Sequence, residues 1–512
     1  MHRPGRPALV LVATSLAAFT ATLDNTVVAV ALRDVQADLG AGVAQLQGVV
    51  TAYTVALAAL LLTGGTLADV AGRRRVFLAG LAVFAAASAA CALADSTNSL
   101  IVARAVQGIG AALVLPGGLA VLAAAYPEPG PRARAVGLWA ATGGSALVAG
   151  PLVGGLLVAA SGWPAIFWVN VPLCALVALA VAFAPAGPPP SPDRRLDLPG
   201  QALVAIGLAA ATYAVVLAGR DGLGTPVVVA SVLATVALVA FAAVERRTTD
   251  PLLPLELLRE RSFAGATVGA FAASLAVFVL LVFVALFLQL VQQREALDAA
   301  LRLLPLTLGL VVTAPIASRL AAARGPRLPV VVGLLLTALG VGLTGLRLDR
   351  QMADAELLAL LGVCGVGIGL TTAPVVAASL DALARSRSGL AAATVNVARE
   401  LGGVVAIAGL GALVVARLSD DLLRRLIGLG VSGGNAETLV EALLEGASPG
   451  EVLRLSGGAV PLDVLLQLRG AAEASYVASV RVALVGAAAV LLASALFCGR
   501  TLEARVHQLD DA

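Results

Sequence analysis

Apolar runs of about twenty residues recur along the whole chain, and they constrain its fold more than any single motif. A helix needs about 20 apolar residues to cross the hydrocarbon core of a bilayer, because each residue advances it by about 1.5 Å. About fourteen runs meet that length. They lie near residues 8–32, 46–68, 76–94, 98–125, 134–160, 164–184, 199–219, 225–244, 263–291, 299–318, 328–346, 355–380, 389–416 and 478–499. In lipid such runs must be helical, since only a helix satisfies every backbone N–H and C=O within its own segment. The first run follows Arg3 and Arg6 in the manner of a secretory signal. It is too long for a signal core and is read as a retained helix. Composition agrees: 59% of the 512 residues are hydrophobic and only 13% are charged. The expectation is an all-α polytopic membrane protein.

Two absences exclude most enzyme chemistry. The chain has no lysine, so all 34 basic residues are arginine. That removes the phosphate-loop lysine and every Schiff-base lysine. The only histidines, His2 and His507, lie at the two ends, which leaves no base for a buried triad or metal site. Cys91, Cys174, Cys364 and Cys498 are scattered through apolar segments without paired spacing, which favours packing over disulfides or metal. A net charge of +3 spread over short loops offers no nucleic-acid face. No enzyme activity, metal or cofactor is expected.

Arginine placement sets the orientation, because positively charged loops stay cytoplasmic. Arg73 to Arg75, Arg132 with Arg134, Arg194 with Arg195, Arg246 with Arg247, Arg319 to Arg327, and Arg385 with Arg387 fall in alternate loops. The intervening loops, such as ADSTNS at 94–99 and ASGWP at 160–164, are nearly uncharged. Both termini then lie in the cytoplasm of a multi-pass plasma-membrane protein. The proline-rich stretch PAGPPPSPDRR, 185–195, marks a boundary after six helices. It divides the chain into residues 1–184, a linker with two extra helices at 185–262, a second bundle at 263–499 and a tail at 500–512. Within the second bundle, 417–477 reads as an outer loop of short helices. A repeat links the halves: GTLADVAGRRRVFLAGL at 65–81 aligns without a gap with SRLAAARGPRLPVVVGL at 318–334. It matches Leu67 with Leu320, Gly72 with Gly325, Arg74 with Arg327 and Gly80 with Gly333. Duplicated helix sets suit two bundles that rock about a central site.

The cluster GGTLADVAGRRR at 64–75 sits in the first of the arginine-rich loops. Positive-inside anchoring explains its arginines but not Gly65, Asp69 and Gly72. Here the chain resembles the major facilitator superfamily, whose loop after the second helix carries the pattern found at Gly65, Leu67, Ala68, Asp69, Gly72, Arg73 and Arg74. The resemblance implies two six-helix bundles. It also implies that Gly65, Asp69, Gly72, Arg73 and Arg74 form a cytoplasmic latch holding the outward-open state.

Further motifs resemble the fourteen-helix drug:proton antiporter branch of that superfamily, which implies two additional central helices and 14 spans. LDNTVVAVAL at 23–32 places Asp24, Asn25 and Thr26 inside the first span. An ionisable residue there is costly and usually functional, although a structural acid satisfied by Asn25 or a nearby arginine is the alternative. RAVQGIGAA at 104–112 supplies Arg104, Gln107, Gly108 and Gly110. Arg104 must face a cavity or an acid, and Asp24 is its expected partner. Close helix packing accounts for Gly108 and Gly110. ALVAGPLVGG at 146–155 carries Gly150, Pro151, Gly154 and Gly155, with Ala146 in place of the first glycine of the antiporter motif. A bend and a thin interface between bundles are expected there, and the resemblance implies export. FWVNVP at 167–172 contributes Asn170, and Gln289 and Pro305 match later helices of the branch. TVNVARELGG at 394–403 contributes Asn396, Arg399 and Gly402, with Glu400 where glutamine is usual. Glu400 is expected to pair with Arg399; the alternative is a second titrating group.

These features together imply a proton-coupled exporter of lipophilic or amphipathic small molecules, working by alternating access. Asp24 and Arg104 would couple protons, and Asn25, Thr26, Gln107, Asn170, Gln289, Asn396, Arg399 and Glu400 are candidates to line the substrate cavity. The partners are a small molecule, protons and membrane lipid, with the proton gradient as energy source and a monomer as the working unit. Aromatic residues, at 4%, are too few for a stacking cage around cationic drugs. Export of an endogenous lipid or secondary metabolite is the alternative on the same fold. A non-transporting sensor or scaffold would need neither Asp24 nor Arg104 inside its spans.

Overall fold

The structure, a computed structural model, describes residues 7–41, 43–182, 197–221, 224–248, 257, 259–294, 296–383, 388–428, 439–440 and 462–503. The proline-rich linker 185–195, Glu295, Arg385, Arg387, the middle of the expected outer loop, the tail beyond 503 and both histidines lie outside them.

Helices occupy every apolar run of the sequence. The first half comprises α1 (Pro7–Leu39), α2 (Val43–Ala71), α3 (Arg73–Ala92), α4 (Thr97–Ala125), α5 (Pro129–Ser161), the single turn α6 (Ala165–Trp168) and α7 (Asn170–Ala182). A hairpin of α8 (Leu198–Asp221) and α9 (Thr225–Glu245) follows. The second half comprises α10 (Arg261–Val279), α11 (Ala296–Arg302), α12 (Leu304–Arg324), α13 (Arg327–Arg347), α14 (Asp354–Asp381), α15 (Ser388–Val404), α16 (Leu410–Gly428) and α17 (Leu462–Thr501). Among the described residues, twelve stretches are long and apolar enough to cross a bilayer. Shorter apolar stretches, Leu152–Ser161 and Leu198–Ala214, fall in α5 and α8.

Local chemistry explains where helices start and stop. Gly72 alone separates α2 from α3, and its φ of 98° is a conformation that favours glycine. Gly325 separates α12 from α13 with Pro326 and has a φ of 83°. The repeat seen in sequence is therefore a repeat of backbone geometry. Its other glycine pair agrees: a Cβ on Gly80 would lie 2.7 Å from Leu113 Cβ on α4, and one on Gly333 would lie 2.6 Å from the Gly367 carbonyl on α14. Ser96 caps α4 by accepting from the Ser99 N–H at 3.3 Å, which gives the uncharged 94–99 loop a purpose.

Most of the expected outer loop 417–477 lies outside the described residues; where it is described, α16 runs on to Gly428, Leu439 and Val440 are helical, and α17 begins at Leu462. The apolar spacing read in DDLLRRLIGL is real, with Leu422 and Leu426 buried and Asp421 paired with Arg425 at 3.0 Å. Because α16 packs on α17, this spacing buries a continuation of a long hairpin.

Helices α1 to α7 pack chiefly on one another, as do α10 to α17, and the halves meet along α5 with α12 and α14, and along α15 with α2 and α4. The α8–α9 hairpin leans on α2 and on the junction of α15 with α16. Its α9 leaves Val228, Val229, Val232, Val236 and Val239 exposed, as a lipid-facing surface requires. Glycine makes the tight crossings inside the first half. Gly108 faces the Tyr53 carbonyl, where a Cβ would sit 2.5 Å away, and Gly110 faces the Phe84 backbone N at 2.6 Å. Close packing is thus the role of both.

Candidate functional site

Three consecutive residues of α1 point three ways, because successive side chains on a helix diverge by about 100°. Asp24 faces the interior of the first half and is fully buried. Asn25 faces a cavity between the halves. Thr26 faces α5, within 3.5 Å of the Ala146 carbonyl.

Asp24 is held by three donors from two helices. Arg104 on α4 donates from Nη1 to Oδ2 in a fully buried ion pair. Gln107, one turn along α4, donates to Oδ1 at 2.8 Å, and Asn170 at the start of α7 donates to the same oxygen at 2.7 Å. Ser88 on α3 accepts from Gln107 at 2.7 Å. Arg104 also donates to the side-chain Oε1 of Gln107 at 2.6 Å and to the backbone carbonyl of Val49 at 3.2 Å. Its guanidinium lies 4.3 Å from the centre of the Tyr53 ring. A buried ion pair is tolerated only when its remaining hydrogen-bonding capacity is satisfied, and here that is nearly so. Arg104 Nη2 and Asn170 Oδ1 are left without a hydrogen-bond partner. The expectation that Arg104 pairs with Asp24 matches this geometry. Both residues are sealed from solvent.

Tyr53 forms part of the seal. It is 1% exposed, its hydroxyl donates to the Ala21 carbonyl at 3.1 Å, and one side of it borders the cavity. That cavity is shared by both halves. Leu57, Leu115, Val277, Phe278 and Leu310 make it apolar, while Asn25, Arg399 and Glu400 bring polar groups. Of the expected lining residues, Thr26, Gln107, Asn170, Gln289 and Asn396 are elsewhere. Gln107 and Asn170 belong to the Asp24 cluster, Gln289 is exposed, and Asn396 is buried with its amide donating to the Ala392 carbonyl at 3.0 Å. The expected Arg399–Glu400 ion pair is also absent: neither side chain forms an ion pair or hydrogen bond among the described residues. Neighbouring residues on one helix diverge too far to turn back on each other.

At the arginine-rich end, Asp69 reaches across the halves. Its Oδ2 accepts from the backbone N–H of Leu390 at 3.1 Å, in the first turn of α15. That is where a helix favours negative charge. Oδ1 faces Arg73 at 3.5 Å. Arg74 instead donates to the Ala182 carbonyl at the end of α7, 2.5 Å away, and so braces its own half. Gly65 is buried within α2, but it is Gly64 that lies against the Ala112 carbonyl of α4. A second cross-half contact went unforeseen: Arg132 on α5 donates to Asp381, the last residue of α14. Its arginine was legible only as a cytoplasmic anchor.

The glycines of α5 also need reassignment. Gly150 and Gly154 let α5 approach α1 at Thr26 and Val27, within one half, and Gly155 faces nothing within 4 Å. The thin seam between halves lies lower on α5, where Gly137 meets Ser318 and Gly144 meets Leu310 of α12. Pro151 lies within the helical run of α5. All four cysteines are buried and free, and among the described residues no cluster of His, Cys, Asp or Glu could hold a metal.

Two helical halves enclosing a shared apolar cavity, with a buried ion pair beside it and polar contacts joining the halves at one end, define a membrane transporter. The model of the Major Facilitator Superfamily matches residues 14–407, and the chain belongs to that family. It is 33% identical over 502 residues to the multidrug resistance protein Stp of Mycobacterium tuberculosis, covering 98% of this chain and 93% of that one. It is 38% identical over 402 residues to the puromycin resistance protein pur8 of Streptomyces alboniger, covering 78% and 80%. Among solved structures, a bacterial homologue of the human lysosomal transporter Spinster, inward-facing and occupied, has a TM-score of 0.58 at 18% identity, with 98% of each chain covered. The protein is thus a multi-pass transporter of small molecules and not an enzyme. Transporters of this family work without a cofactor.

Proposed function

We propose that this transporter exports lipophilic or amphipathic compounds, antibiotics among them, in exchange for protons. It would have fourteen spans, with α5 and α8 completing the count. Residues 1–184 and 263–499 would form the two bundles, 185–262 the linker with its extra hairpin, and 500–512 a tail. It would work as a monomer in the plasma membrane with both termini in the cytoplasm. The observation that carries the reading is the sealed Asp24–Arg104 pair one side chain away from a cavity lined by both halves. A proton on Asp24 cancels the charge that holds Arg104, frees a guanidinium already short of one partner, and loosens the α1–α4 contact. That change biases the halves between inward and outward states. The Asp69 contact with α15 holds the arginine-rich end closed in one of them. The names of the resistance proteins that resemble the chain support export as the direction.

The test is transport of puromycin by purified protein in liposomes under an imposed pH gradient. Gradient-driven movement is expected for the wild type and is lost in Asp24→Asn. If Asp24→Asn still responds to the gradient like the wild type, the proton role is wrong.

A further inference from the structure

The cavity between the halves is apolar along most of its wall and charged at one place only. Arg399 and Glu400, consecutive on α15, both line it, and no other charged side chain does so among the described residues. Each is partly buried, and neither has a hydrogen bond or ion pair. A cation and an anion on consecutive residues, both lining one apolar chamber and neither held by a hydrogen bond or a close ion pair, form an unusual lining. Charged groups taken out of water are normally paired.

We infer that the chamber takes a zwitterionic amphiphile: an apolar body against Leu57, Leu115 and Phe278, a cationic nitrogen at Glu400, and an anionic group at Arg399. The inference rests on reading this cavity as the substrate site. A ligand with one charge gains little, because whatever attracts it to one of these neighbours repels it from the other at similar range. A ligand with both charges gains two charge-assisted hydrogen bonds and meets no like charge. The apolar wall then sets affinity by area, and the charged pair sets which molecules can settle.

Three fluorescent probes with one naphthalene body separate the possibilities: naphthylalanine carries both charges, naphthylethylamine only the positive one, and naphthylpropionate only the negative one. Their binding to the full chain in lipid nanodiscs is measured by equilibrium dialysis, which needs no transport. Failure of proton coupling or export therefore leaves this ranking untouched, and failure of the ranking leaves the export reading standing. Naphthylalanine is expected to bind at least about tenfold more tightly than either singly charged probe, the worth of one modest charge-assisted bond. Glu400→Gln should hand preference to naphthylpropionate, and Arg399→Gln to naphthylethylamine. The inference is overturned if naphthylalanine is no tighter than the better singly charged probe, failure of all three to bind included, or if both variants weaken every probe equally. Should either variant misfold, the wild-type ranking alone decides.

Discussion

The carboxylate of Asp69 on α2 accepts a hydrogen bond from the backbone N–H of Leu390 on α15, 3.1 Å away, and joins the two halves through a group that no substitution at Leu390 other than proline removes directly. The bond is charge-assisted and sits at a helix start, where the backbone dipole adds to it.

Such a bond contributes about 1.5–3 kcal/mol, which is roughly a ten- to hundredfold bias toward the closed arginine-rich end. Asp69→Ala removes it, and Asp69→Asn keeps an acceptor without the charge. Spin labels at positions 75 and 324, both exposed at that end, should report a longer mean separation in Asp69→Ala and an intermediate one in Asp69→Asn. Unchanged distance distributions in both variants would rule out the latch.

The contact between Arg132 and Asp381 should matter less. Asp381 is 45% exposed although Arg132 is only 12% exposed, and an ion pair with one partner reached by water is worth about 0–1 kcal/mol. Arg132→Glu is expected to shift the same spin-label distances only slightly, and the double exchange Arg132→Glu with Asp381→Arg to restore them. A shift larger than that of Asp69→Ala would reverse this order.

Inside the first half, breaking the Asp24–Arg104 pair leaves a buried charge without its partner, at a cost of about 3–5 kcal/mol. Asp24→Ala should therefore lower the thermal midpoint in detergent markedly. Asp24→Ala combined with Arg104→Met should recover part of the loss, because the second change removes the orphaned cation. If the double variant is less stable than Asp24→Ala alone, the pair is not what holds this region together.

The α5 glycines give a contrast within one motif. A Cβ on Gly154 would lie 2.6 Å from Val27 Cγ2, whereas one on Gly155 would meet nothing within 4 Å. Gly154→Ala is expected to cost about 1–3 kcal/mol by overpacking. Gly155→Ala should stay within about 0.5 kcal/mol, as surface changes do. Thermal unfolding of the two variants side by side checks this; equal losses would contradict the packing described for α5.

The sequence announced the spans because bilayer thickness dictates their length, and it announced Arg104 with Asp24 because charges in oily helices must find each other. Other parts of the site were not readable. Leu390 contributes a backbone N–H, which carries no residue identity. Arg132 and Asp381 are 249 positions apart. Asn25 separated from Asp24 and Thr26 by helix rotation alone, and the same rotation turned Asn396 inward while Arg399 and Glu400 met the cavity. Tyr53, which closes the ion pair off from the cavity, looked like one more residue of an apolar run.

That closure by Tyr53 keeps the cavity between the halves apart from the ion pair buried inside the first half. Under the export reading proposed above, substitutions that reshape the chamber wall change which compounds are carried and leave the ion pair behind Tyr53 undisturbed, so the range of cargo is free to drift while that pair stays fixed.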